Sequence, residues 1–189
     1  MTETELNPEQ QLEQYRDYLR IIARLQFPSR LQGKLDASDL VQQTLLRAYQ
    51  RWEQFRGETP EQLAAWLRTI LASTLANAVR DLTRAKRNVN LERSLEGSIA
   101  QSSARLEAWL SAGGLSPSEQ VVRNEQLLEI TQQLARLPEP QREALILRHC
   151  QGCSLVEIGE QLGRSRAAVA SLLRRGLQQL RLSLQEPDE

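Results

Sequence analysis

The sequence is poor in the residues that most often carry chemistry. It has one His, two Cys and only two Lys, Lys34 and Lys86, among 189 residues. A single His leaves little scope for a Ser-His-Asp constellation. The chain also has no phosphate-cradling Gly-rich loop and no recognisable motif of paired metal carboxylates, so an enzyme is not expected. No apolar run reaches the ~18 residues a membrane span needs, which excludes an integral helical membrane protein. The first residues, Met1 to Gln11, are acidic and polar, without the basic flank and apolar stretch of a secretory signal. Two Cys in such a chain point to a reducing, cytoplasmic compartment. Period-2 alternation of β-branched residues is also missing, so no sheet is expected. Net charge is absent too, with 24 Lys+Arg against 24 Asp+Glu. Taken alone, neutrality speaks against nucleic acid.

The average conceals segregation. Arg164 to Arg181 holds Arg164, Arg166, Arg174, Arg175 and Arg181 and no acid, and Arg80 to Arg93 holds Arg80, Arg84, Lys86, Arg87 and Arg93 against Asp81 and Glu92. The first 17 residues carry five acids and one Arg. Nearly every cation is Arg, whose planar fork suits phosphates and guanine edges.

Leu, Gln, Glu, Arg and Ala dominate, all good helix formers. Leu12, Tyr15, Leu19 and Ile22 predict one helix over Pro8–Gln26. A second is capped by Asp36 or Ser38 and runs to about Phe55 on a Val41, Leu45, Ala48, Trp52, Phe55 stripe. A third runs from Pro60 to about Ala85. Residues 91–117 are rich in Ser, Gly and Ala and read as a linker with a short amphipathic piece around Leu106, Trp109 and Leu110. Trp109 either meets a partner or packs on a domain. Beyond the linker, helices are expected over Ser118–Leu137, Gln141–His149, Ser154–Leu162 and Arg166 to about Leu184. The fold class is therefore all-α: two small helical domains, residues 1–90 and 118–189, joined by a linker.

The segment from Ser154 to Arg175 reads as a helix-turn-helix. Ser154 and Glu157 have capping-box spacing, Gly163 sits at a left-handed C-cap, and Ser165 can cap the second helix. That helix has an apolar back (Val169, Leu172, Leu173, Leu177, Leu180). Its front carries Arg166, Ala167, Ala170, Ser171, Arg174 and Arg175. Small residues let the backbone approach a major groove while Arg and Ser reach bases and phosphates. An ordinary αα-hairpin with a solvated basic face is the plainer alternative. On the second helix, Asp39, Gln42, Gln43, Leu46 and Gln50 lie away from the apolar stripe. They form either a docking face or plain solvent-facing surface. On the third, Trp66, Ile70, Ser73, Asn77, Arg80 and Arg84 run from apolar to cationic. His149-Cys150-Gln151-Gly152-Cys153 offers three metal ligands but no fourth, so no metal or other cofactor is expected and the two Cys read as buried thiols.

Two regions together resemble the extracytoplasmic-function class of the sigma-70 family. Asp36-Ala-Ser-Asp-Leu-Val-Gln-Gln-Thr-Leu-Leu-Arg-Ala-Tyr-Gln-Arg-Trp and the segment from Ala65 to Arg87 are similar to sigma region 2. Leu137-Pro-Glu-Pro-Gln-Arg-Glu-Ala-Leu through Arg175 is similar to region 4. The resemblance implies a promoter-specificity subunit whose partners are RNA polymerase core, through its β′ and β subunits, and promoter DNA. An anti-sigma factor is a further partner of such proteins. By the same resemblance, Asp39, Gln42, Gln43 and Arg47 fall on the core-binding surface. Arg56, at the start of a strand-capturing loop reaching Glu61, falls on the −10 side with Ser73, Thr74, Asn77, Arg80, Arg84, Lys86 and Arg87. Ser165, Arg166, Ala167, Ser171, Arg174 and Arg175 fall on the helix reading the −35 element. Gln43 stands where many relatives carry Glu, and Ser73 and Asn77 where many carry Asn and Asp. A conventional helix-turn-helix regulator with a dimerising or sensing domain is the alternative function; a helical adaptor that binds no DNA is a third.

Overall fold

The computed structural model describes residues 7–26, 36–83, 89–112 and 120–184. Every regular element among these described residues is helical. The chain divides into two compact units between Gln101 and Ser102.

Unit one contains α1 (Pro8–Glu13), α2 (Arg16–Leu25), α3 (Ala37–Gln50) and α4 (Pro60–Thr83), with a 3₁₀ turn at Trp52–Gln54. It also takes the first half of α5 (Val89–Ala112). The expected first helix is two. Asn7 caps α1 by accepting the Glu9 N–H at 2.9 Å. The ladder then tightens at Tyr15, whose N–H bonds the Leu12 carbonyl three residues back. This break lets the buried Tyr15 ring meet Tyr18 edge-on and donate its hydroxyl to the Pro60 carbonyl at 3.1 Å. A tertiary hydrogen bond thus overrides a continuous helical pattern.

Asp36 is the cap of α3, accepting the Ser38 N–H at 2.7 Å. The helix stops at Gln50, short of Phe55. Trp52, Phe55 and Trp66 explain the early stop. Their rings cluster at centroid distances of 5.1 to 6.4 Å, with the 3₁₀ turn carrying Trp52. Inside, Tyr18, Leu19 and Ile22 of α2 and Leu67, Leu71 and Leu75 of α4 are fully buried. Each such aliphatic side chain contributes about 1.5–3 kcal/mol on burial. A further cluster gathers Leu40, Leu75 and Val79 with Leu91 and Leu95 of α5.

The 91–117 segment is not loop with one short amphipathic piece: it is helical through Ala112. Leu91, Leu95, Ile99, Ser102, Ser103 and Leu106 recur at helical spacing, and Ile99, Ser102, Ser103 and Leu106 are buried. Small serines on a buried face let a helix pack closely, so a Ser-rich composition did not mean a loop here.

Unit two holds the second half of α5, α6 (Gln120–Arg136), α7 (Glu139–His149), α8 (Leu155–Leu162) and α9 (Arg166–Ser183). Pro138 precedes α7 and Pro140 lies in its first turn, where the missing N–H costs nothing. Arg142 donates to the Ala135 and Leu137 carbonyls, at 3.0 and 3.3 Å, and so satisfies the end of α6. Ala144, Ile158 and Val169 form the centre of the α7–α8–α9 core, with Leu147, Cys153, Leu155, Leu162, Leu172 and Leu173 around them.

Candidate functional site

The α8–α9 pair is built from its caps inward. Ser154 Oγ accepts the Glu157 N–H at 3.3 Å, and Glu157 Oε2 accepts the Ser154 N–H at 2.7 Å. The Ser154 backbone N–H, aided by the Ser154 side chain, holds the Glu157 carboxyl below its usual range. Gly163 ends α8 in the left-handed region, φ 62°. The Arg164 N–H then returns to the Gly159 carbonyl at 2.8 Å. Gly159 is buried, and a Cβ there would stand 2.6 Å from the Arg164 carbonyl oxygen. Only a residue without a side chain admits the turn so close to the helix. Ser165 starts α9 by accepting the Ala168 N–H at 3.3 Å.

On α9, Val169 and Leu180 are buried while Leu172, Leu173 and Leu177 are half-buried. Gly176 lets Leu145 of α7 approach. The other side exposes Arg166, Ala167, Ala170, Arg174 and Arg175. Ser171 is half-buried, and its carbonyl accepts from Arg175 Nε at 3.4 Å. Of the residues expected at this surface, Arg166, Ala167, Arg174 and Arg175 therefore share one exposed face. Ser165 is engaged as the cap and Ser171 lies at the edge. Such a face, opening on a helix N-terminus, can hold phosphates and present Arg forks to base edges.

In unit one, Asp39, Gln42 and Gln43 are exposed on α3 together with Leu46 (56% exposed). Tyr49, 54% exposed, extends the same face. Sequence reading missed Tyr49, although it follows Leu46 at helical spacing. Arg47 lies on the flank and donates to Thr74 Oγ1 at 3.2 Å, tying α3 to α4.

On α4, Ser73, Asn77 and Arg80 are half-buried. Ser73 donates to the Ile70 carbonyl and Arg80 lies 3.8 Å from Asp81. Thr74 corrects the expectation placed on it. It is buried, its hydroxyl donates to the Ile70 carbonyl at 2.8 Å, and it accepts from Arg47. A hydroxyl facing the core cannot touch DNA from this position. Arg84, Lys86 and Arg87 lie outside the described residues. Arg56 is exposed and donates to the Glu53 carbonyl at 2.7 Å, at the head of the short loop that leads to α4.

His149 stacks on Trp109, ring centroids 4.2 Å apart and 11° from parallel. Trp109 thus packs within unit two. Burial, with the neighbouring Arg148 charge, lowers the His149 pKa. Burial pushes the Cys150 thiol up to about 12. Cys153 sits against the α7–α8–α9 core, as an apolar residue would. Among the described residues no group of three His, Cys, Asp or Glu side chains stands together to hold a metal. No described helix is long and apolar enough to cross a membrane.

Two family profiles match the chain. Sigma-70 region 2 covers residues 12–85 and sigma-70 region 4 covers residues 127–180. An extracytoplasmic-function RNA polymerase sigma factor of Mycobacterium tuberculosis, SigL, is 33% identical over 150 residues, 79% of this chain and 75% of SigL. SigG of the same organism is 33% identical over 160 residues; these are 80% of this chain and 43% of SigG, so the chain spans less than half of that relative. SigW of Bacillus subtilis is 26% identical over 151 residues, 80% of this chain and 76% of SigW.

Proposed function

The chain belongs to the extracytoplasmic-function class of the sigma-70 family, and on that premise we propose that it directs RNA polymerase core to promoters without bond chemistry of its own. The exposed α3 face of Asp39, Gln42, Gln43, Leu46 and Tyr49 docks on core, with a charged and amide rim around two apolar side chains. Ser73, Asn77, Arg80 and the loop opened by Arg56 meet the −10 strand. By the family resemblance, Arg84, Lys86 and Arg87 contribute further positive charge to the −10 contact. The α9 face enters the −35 major groove with Arg166, Ala167, Arg174 and Arg175. An anti-sigma factor is a partner that the family resemblance suggests, and the cytoplasm is the compartment in which such a protein would work.

One observation carries this reading most: an exposed row of arginines on a capped helix whose other side is the core of a helix-turn-helix. The neutral net charge fits the same picture, since an acid-balanced chain binds DNA weakly alone and takes the remaining affinity from the polymerase. The test is reconstitution. The chain is expected to co-purify with core polymerase and to support transcription from promoter fragments that core alone ignores. DNA binding without any core association would instead identify a conventional helix-turn-helix regulator and overturn the reading.

A further inference from the structure

The loop between the 3₁₀ turn and α4 is exposed at Arg56, Glu58 and Thr59, as a strand-contacting loop must be. An exposed loop of this kind would ordinarily lose conformational freedom on gripping a flexible strand. Here it is already tied at several points. Gln62 Oε1 accepts two consecutive backbone N–H groups, from Glu58 at 2.7 Å and Thr59 at 3.2 Å. Thr59 Oγ1 accepts the Gln62 N–H in return, at 3.3 Å. The Pro60 carbonyl is held by Tyr15 of the α1–α2 junction. Phe55 packs tilted against Trp66, ring centroids 5.1 Å apart, and its ring lies over Gly57, where a Cβ would come within 2.4 Å of the ring and 2.9 Å of Gln62 Cβ.

We propose that Gln62 and Gly57 are positioning residues for strand capture, which hold the Arg56–Thr59 loop in its working shape before DNA arrives. Neither needs to touch the strand. Gln62 fixes the loop backbone through two accepted hydrogen bonds, and Gly57 lets Phe55 close over the loop instead of swinging outward. Preorganisation of this kind raises affinity by removing the ordering cost from the binding step. The inference rests on the proposed −10 role of the loop.

The test uses the full chain with core polymerase. Promoter fragments are first enriched from randomised duplex DNA by the wild-type complex, then labelled with 2-aminopurine in the −10 segment to report base unstacking. Gln62→Ala removes the oxygen that accepts both hydrogen bonds and is expected to weaken the unstacking signal roughly tenfold, the scale of two lost hydrogen bonds. Gln62→Glu keeps an accepting oxygen at that place and is expected to restore the signal. Gly57→Ala is expected to fall with Gln62→Ala. Core binding and retention of the −35 duplex should stay at wild-type level in all three, which a general loss of folding would not allow. The proposal is overturned if Gln62→Ala unstacks the −10 segment like wild type while Arg56→Ala is impaired. If the wild-type complex enriches no fragment, or Arg56→Ala also behaves as wild type, the loop's assignment to the strand fails first and the positioning role with it.

Discussion

Replacing Gly159 by alanine adds one methyl group where unit two has no room for it. The new Cβ would stand 2.6 Å from the Arg164 carbonyl oxygen. That oxygen belongs to the backbone of the turn and cannot rotate away. Relief to ordinary contact means moving the turn by about 0.8 Å against a packed core. Overpacking of this kind typically costs about 1–3 kcal/mol. Alanine offsets about 0.8–1 kcal/mol of it by its helix preference over glycine. The net expectation is a loss of about 1 kcal/mol, which lowers the urea midpoint of unit two by roughly 0.5–1 M at ordinary denaturant sensitivities. The same displacement moves Arg164 and the Ser165 cap, so affinity for a −35 duplex should fall with stability. Gly97→Ala is the matched control. It lies exposed on α5 with no atom within 4 Å of the added Cβ, so only the propensity term remains and a gain is expected. Urea unfolding by circular dichroism gives the magnitudes, and hydrogen exchange of the Leu145 and Val169 amides assigns the loss to unit two. The close-approach argument is refuted if Gly159→Ala matches or exceeds wild-type stability and keeps its duplex affinity.

Three other expectations accompany it. Arg174→Ala and Arg175→Ala should each lower the log–log salt slope of region-4 duplex binding by about one, and unchanged slopes would remove phosphate contact as the role of these side chains. Asp39→Arg should weaken core association in a pull-down while leaving duplex binding intact; parallel loss of both would mean misfolding and not a lost docking contact. The folded state holds His149 below its ordinary pKa, chiefly by burial and secondarily by Arg148. The unfolded chain therefore binds the additional proton, and stability declines as pH falls from about 6.5 towards the lowered folded value. His149→Phe keeps a ring against Trp109 and should flatten that part of a pH series of unfolding free energies; an unchanged slope would assign the dependence to other groups.

The helix-turn-helix was legible because each of its signals is local. Ser154 with Glu157, Gly163 and Ser165 mark ends within a few residues, and the structure uses all of them as caps. The exposed face of α3 was legible for a similar reason, since a helix exposes what its apolar stripe leaves over. The misses lie where a distant partner decides. Tyr15 breaks a continuous helical pattern because its hydroxyl finds Pro60, 45 residues away. Trp52 and Phe55 leave the helix to reach Trp66. The family resemblance places Thr74 on the −10 side, yet Arg47 on another helix and the Ile70 carbonyl claim its hydroxyl. In α5, serines on the packed face disguised a buried stripe as linker composition.

The cations along α9 are arginine at every position: Arg166, Arg174, Arg175 and Arg181, with Arg164 just ahead of the helix. A guanidinium keeps its proton across the whole range of pH at which cells live. Lysine acetylation, which erases a positive charge in one enzymatic step, finds nothing there to modify. The charge of this face is therefore closed to that route of control, and any tuning of its contact with a polyanion has to act through something other than lysine chemistry.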